Sequence, residues 1–252
     1  MARTIAETLR KVAVHAREGT LFARLREEFR NRAGGERADP DHYHGDVAKG
    51  YLTKRIQQQS WHTEQTIVNE MLRQIPDGST VLDVPFGTGR FVAMFLQKRM
   101  SIYGIDISQD MLNAAREALQ SDYDRCQITL GSAESLPYEN EFFDLVVCFR
   151  FFGLISFEMA KNVLAEIHRV MRTQGRLIIR VPVRKDLVED DSKPKNHESV
   201  QGRLLEAELF AMFDKYGFDV SESQLVEERP KVLYKVYLLL KRDRSVPATR
   251  QR

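Results

Sequence analysis

Cysteine is nearly missing from this chain: its 252 residues hold only Cys126 and Cys148. Two thiols make neither a disulfide framework nor a Cys-based zinc site, and a reducing cytosol is the simplest compartment for such a protein. Long apolar runs are missing too. No stretch approaches the ~18–20 residues that a membrane span needs, and no apolar segment of signal-peptide type opens the sequence. Five acids near the start (Glu7, Glu18, Glu27, Glu28, Glu36) do not suit a transit peptide. There is no internal repeat, and the "HTE" at His62 lacks the spacing of a zinc-binding helix, so no metal is expected.

What is present is an ordinary globular balance, 42% hydrophobic and 29% charged. The charge is unevenly placed. Residues 1–37 carry nine Arg or Lys against five acids, and residues 241–252 carry five against Asp243, so each end is +4 and the remainder is −6. Basic ends on an acidic body suit either an anionic partner or plain solubility.

Helical periodicity runs through residues 4–30, with Ile5, Leu9, Val12 and Ala16 on one stripe and Leu21, Phe22, Leu25 and Phe29 on another. A turn-rich linker follows at 31–41. Helix resumes over about 47–72 and stops before Pro76–Gly78. Strands and helices then alternate: strand 80–84, helix 90–99, strand 101–107, helix 109–120 with Ser108 as its N-cap, strands 126–132 and 143–150, helix 157–171, strand 175–183, helix 203–217 with Gly217 past its end, and two late strands. This order predicts an α/β fold: a doubly wound, mostly parallel seven-stranded sheet of Rossmann-like type with a final antiparallel hairpin. The expected organisation is an N-terminal helical extension or lid at 1–75, a ligand-binding domain at 76–242 and a basic tail at 243–252. Residues 184–202 read as a charged loop.

In such a sheet, ligands bind outside the carboxyl ends of the strands. The first strand runs into "VLDVPFGTGRF", Val81 to Phe91. Gly87 and Gly89 would let backbone approach a ligand where a Cβ would block it. The dinucleotide fingerprint fails, because Val92 holds its third glycine position, and no Gly-Lys-Ser/Thr follows to make a phosphate loop. Asp83 would repel a pyrophosphate in this turn and would suit a ligand with a positive amino group. Asp106 ends the second strand, where an acid accepts hydrogen bonds from ribose hydroxyls. An amino-acid end at the first turn and a ribose at the second describe S-adenosylmethionine.

With "IYGIDISQDML", "GSAESLPYENEFFDLVVC" and "EIHRVMRTQGRLII" in the right order behind that turn, the chain resembles a class I S-adenosylmethionine-dependent methyltransferase of the small-molecule type over about residues 80–240. The resemblance implies roles by position. Asp83, Pro85, Gly87 and Gly89 would shape the methionine end of the donor. Asp106 would hold the ribose and Ile107 would pack on the adenine, bordered by Ser132, Ala133 and Glu134. Cys148, Phe149 and Arg150 would face the sulfonium and the acceptor, the last two on the substrate side. Tyr51 would close over the donor. Three positions depart from the family pattern: Pro85 and Phe86 replace small residues in the first turn, Ser132 stands where an acid often meets the adenine amino group, and "RTQG" replaces a Lys-Pro-Gly-Gly turn.

Other residues have plainer readings. His168 and Trp61 are expected in the core, and His42 and His44 in a solvated loop. No residue declares itself a catalytic base. The sequence holds neither the Asn/Asp-Pro-Pro-Tyr stretch nor the Pro-Cys pair found in many nucleic-acid base methyltransferases. The expected activity is therefore methyl transfer (EC 2.1.1.-) to an oxygen or nitrogen of a polar small molecule or a lipid- or sugar-linked acceptor, with residues 1–75 and 184–202 setting specificity. Two alternatives stay open: an RNA methyltransferase using the basic termini, and a non-catalytic S-adenosylmethionine-binding partner protein.

Overall fold

The computed structural model describes residues 45–185 and 204–243. The expected helix at 4–30, the linker, His42 and His44, most of the charged loop and nearly all of the basic tail lie outside them. Two helices open the described chain, α1 (Gly45–Arg55) and α2 (Gln59–Leu72). The sequence predicts one helix here. The structure breaks it at Ile56–Gln58, where Gln58 takes extended angles (φ −86°, ψ 129°) and the His62 ring bonds the Ile56 carbonyl at 2.7 Å. No proline or glycine marks that break, which is why periodicity alone passes over it.

Then come β1 (Thr80–Asp83), α3 (Val92–Gln97), β2 (Ser101–Asp106), α4 (Gln109–Leu119), β3 (Cys126–Leu130), β4 (Phe143–Cys148), α5 (Phe157–Val170), β5 (Met171–Arg184), α6 (Glu206–Lys215), β6 (Phe218–Glu228) and β7 (Val232–Lys241). The Ser108 hydroxyl accepts the Met111 N–H at 3.2 Å and caps α4 as expected. Gly217 follows α6 at φ 81°, with the His168 ring against it, so the glycine is needed for both angle and space. His168 itself is buried edge-on to Phe218. β5 starts earlier than its apolar run suggests: "RTQG" is an irregularity inside the strand, with Gln174 at φ 64° and a register shift against β4.

The seven strands are ordered β3-β2-β1-β4-β5-β7-β6. β1 to β5 are parallel, and β7 runs antiparallel between β5 and β6. Alternation along each strand splits the core into two layers. Val81, Leu145, Val147, Ile178, Val236 and Leu238 pack towards α2, α3 and α4. Leu82, Val146, Ile179, Tyr237 and Leu239 pack towards α5 and α6. β1 and β4 lie side by side at the centre, so their carboxyl ends, Asp83 and Cys148, form the floor of the crevice where the strand order reverses.

Candidate active site

The turn after β1 is held from below. Val84–Pro85 is a cis peptide, and Gly87 and Gly89 have φ 56° and 68°, angles that L side chains rarely adopt. The Gly87 N–H donates to Asp106 Oδ2 at 2.8 Å and the Ser108 N–H to Asp106 Oδ1 at 2.9 Å. Asp106 therefore ties the glycine turn to the end of β2. Phe86, the bulky departure in this turn, is 2% exposed and lies on Gly104 of β2. A Cβ on Gly89 would come within 2.6 Å of Leu119 Cδ1. The space that Gly89 vacates is thus filled by the protein, whereas a Cβ on Gly87 would meet only Met111 Cε, at 3.6 Å.

Beside the turn lies a cleft of about 330 Å³, open to solvent. Pro85, Asp106, Ile107, Ser132, Ala133 and Glu134 all line it, together with Phe151 and Met159. The Ser132 hydroxyl accepts the Glu134 N–H at 3.2 Å, and Glu134 in turn accepts from Asn162 at 2.9 Å. These bonds fix the wall that follows β3.

Asp83 is 2% exposed, and no hydrogen bond reaches its carboxylate among the described residues. Desolvation pushes its pKa well above the carboxylate range, against the pull of nearby Arg90, and the Asp106 charge adds to the rise. Cys148 lies fully buried beneath; burial, and then the Asp83 charge, raise its thiol well above the usual range, so it is a neutral packing group. Phe149 turns to the other layer and meets Phe91 edge-on, 4.9 Å between ring centres. Tyr51 sits on α1, its ring 5.0 Å from the Arg55 guanidinium carbon.

Arg150 extends from the end of β4 with φ 55°, a strained angle for a non-glycine residue. Its Nε donates to Glu64 at 2.9 Å. Glu64 is fully buried and also receives Arg90 Nη1 at 2.6 Å. The Arg90 guanidinium lies 3.5 Å above the Trp61 ring and donates to the Trp61 carbonyl at 2.9 Å. The sequence did carry a signal for Glu64: it stands in the stripe Trp61, Glu64, Val68, Met71, whose other members are apolar and buried.

Residues 81–175 match the family model described as "Methyltransferase domain". This part of the chain is a class I S-adenosylmethionine-dependent methyltransferase domain. Similar curated proteins include the demethylmenaquinone methyltransferase of Thermotoga maritima, 33% identical over 39% of this chain and 42% of that one. Another is the demethylmenaquinone methyltransferase of Bacillus licheniformis, 32% identical over 42% and 46%. The matched parts thus span less than half of those relatives. Among solved structures, the Burkholderia thailandensis 1,6-didemethyltoxoflavin-N1-methyltransferase with bound S-adenosylhomocysteine aligns at TM-score 0.58 and 19% identity, over 81% of this chain and 91% of that chain. That likeness is one of fold.

The methyltransferase domain offers the donor a fitting set of groups. Asp83 is a desolvated carboxyl group that receives no hydrogen bond among the described residues, beside the turn that would take the methionine end. Asp106 holds the backbone N–H groups of Gly87 and Ser108, which sets its carboxylate at the end of β2, where a ribose would lie. Among the described residues, no three His, Cys, Asp or Glu side chains cluster as a metal site, and no helix is long and apolar enough to cross a membrane.

Proposed function

We propose that this protein transfers a methyl group from S-adenosylmethionine to an oxygen or nitrogen of a polar small-molecule or lipid- or sugar-linked acceptor. The observation that carries this reading is the pair of acids at the ends of β1 and β2. One is buried and receives no hydrogen bond on its carboxyl among the described residues, and the other ties the glycine turn to the end of β2. When bound, the donor supplies a methyl electrophile on a sulfonium. The chain's own work is placement: Asp83 would take the amino group, Asp106 the ribose and the Pro85, Ile107, Ala133 wall the base, leaving the sulfonium near the end of β4. Fixing acceptor and methyl in line can account for about 7–11 kcal/mol of barrier in favourable cases. Similar proteins are named for small acceptors, a demethylmenaquinone and a didemethyltoxoflavin, which supports a small molecule here.

The test has two stages. Calorimetry of the full chain with S-adenosylhomocysteine should give saturable binding. A tritiated-methyl assay should then label a metabolite fraction in preference to total RNA. Donor binding without turnover on any fraction would favour the non-catalytic reading, and label confined to RNA would favour the RNA reading.

A further inference from the structure

The chain packs three guanidinium groups around one acid next to the end of β4, and a fourth, that of Arg55, lies at the rim of the cluster. Arg90 and Arg150 bond Glu64 as described, and Arg180 Nε lies 2.6 Å from Glu64 Oε1. That last contact is an ion pair by distance, but the N–H is not aligned with it, so both atoms lack a true hydrogen bond among the described residues. Arg90 Nε and Arg150 Nη2 are also buried without a hydrogen-bond partner among the described residues. Buried N–H groups of charged residues are rarely left unmet. The three inner side chains are only 8%, 13% and 10% exposed. Desolvation lowers the Arg90 pKa to about 10, and the Arg150 charge depresses both Arg90 and Arg180. Glu227 is within electrostatic reach of Arg180, yet it already pairs with Arg229 at 2.7 Å. The cluster is short of negative charge.

Its opening lies at the break between α1 and α2. There the Gln58 amide oxygen, which is neutral, accepts long bonds from Arg55 Nη1 at 3.2 Å and Arg150 Nη1 at 3.3 Å. Gln58 and Arg55 are half-buried, so this side is reachable from solvent. Resting on the methyltransferase reading, we propose that Arg55 and Arg150, backed by Arg90 and Arg180, form an anion subsite for the acceptor, whose carboxylate or phosphate group displaces the Gln58 oxygen. An anion there exchanges a weak neutral acceptor for a charge-assisted, two-pronged one, which the planar guanidinium fork favours. The subsite adjoins Asp83 through Arg90, so an acceptor anchored in it reaches towards the donor's sulfonium. Glu64 holds the arginines apart and oriented; it acts as a positioning residue. The competing occupant is the donor's own carboxylate, because Arg90 follows the glycine turn.

Trp61 is the chain's one tryptophan and lies 3.5 Å from Arg90 and 5.7 Å from Arg150, so its emission reports on the cluster. The full chain, loaded with S-adenosylhomocysteine, is titrated at constant ionic strength with inorganic phosphate, phenyl phosphate, benzoate and neutral benzamide. The expected result is a saturable Trp61 change with the anions, at least ten-fold tighter than any change with benzamide. Tighter phenyl phosphate identifies a phosphorylated acceptor, and tighter benzoate a carboxylated one. Gln58→Ala, a half-buried change, should tighten anion binding several-fold. Arg150→Gln should weaken it at least ten-fold, with the melting temperature checking that the variant folds. Equal response to benzamide, or anion binding unmoved by both variants, overturns the proposal. So does an Arg150→Gln protein that loses S-adenosylhomocysteine affinity and keeps anion affinity, which would assign the cluster to the donor. Wild-type chain that binds no S-adenosylhomocysteine sinks the methyltransferase reading instead, and the anion titration can then be read without it.

Discussion

Asp106 accepts the Gly87 N–H at 2.8 Å. One carboxylate thus shapes the turn that would hold the amino-acid end of the donor while standing where the ribose would lie. Asp106→Ala should therefore act twice. Loss of two charge-assisted bonds to backbone N–H groups should cost about 2–5 kcal/mol of stability, by denaturant titration. Affinity for S-adenosylhomocysteine should fall roughly 10–100-fold by calorimetry, at about 1.4 kcal/mol per factor of ten. A variant that loses stability and binds the ligand as well as wild type would confine Asp106 to a structural role.

Gly104 carries the floor under Phe86. A Cβ there would sit 2.3 Å from Phe86 Cδ2 and 2.8 Å from Ile128 Cδ1. Gly104→Ala must push the Phe86 ring, and with it the glycine turn, at an overpacking cost of about 1–3 kcal/mol. Ligand affinity should drop although the site's own side chains are unchanged. Phe86→Leu in the same chain should restore part of it. If the double variant binds no better than Gly104→Ala alone, the ring does not set the turn.

Much of this was legible because strand ends and turns follow local chemistry. Asp83, Gly87, Asp106 and the Ser108 cap stand where "VLDVPFGTG" and "IDISQD" put them. The order of strands followed from alternation of apolar runs with helical ones. The split between α1 and α2 was not legible, since Gln58 takes extended angles there and no helix-breaking residue marks the place. The arginine cluster was hidden for another reason. Its members lie at residues 55, 64, 90, 150 and 180, and only the sheet order brings them together. Arg180 did leave a trace, as a charge inside the apolar run "LIIRVPV", but nothing local names its partner. The packing of Leu119 and Phe86 against Gly89 was not legible either, because both side chains come from outside the local turn pattern or replace its usual small residues.

Glu64 should be costly to neutralise. It is fully buried, and its charge is the counterion for Arg90, Arg150 and Arg180. Breaking a buried pair from one side leaves an uncompensated charge and costs about 3–5 kcal/mol. Glu64→Gln should lose stability of that size in denaturant titration. Glu64→Gln combined with Arg180→Met should recover part of the loss, because one unpaired cation is then gone. Strict additivity of the two changes would mean that the groups do not interact.

Asp83 should couple donor binding to a proton. Its pKa in the folded chain stands well above the unfolded value of about 3.9. In the window between those two values the folded state holds more protons than the unfolded one. Stability from this group is therefore complete below the ordinary carboxylate range and is lost as pH rises through the folded value. A bound ammonium group favours the ionised carboxylate and pulls that pKa down, so binding must expel up to about one proton within the window. Affinity for S-adenosylhomocysteine, which keeps the amino group, should rise with pH there. Calorimetry in two buffers of different ionisation heat should show the release. Asp83→Asn should abolish the release and weaken binding, while leaving the ligand-free protein at least as stable as wild type, since an amide carries no charge to desolvate. Equal apparent binding enthalpies in the two buffers would place the donor's amino group somewhere other than at Asp83.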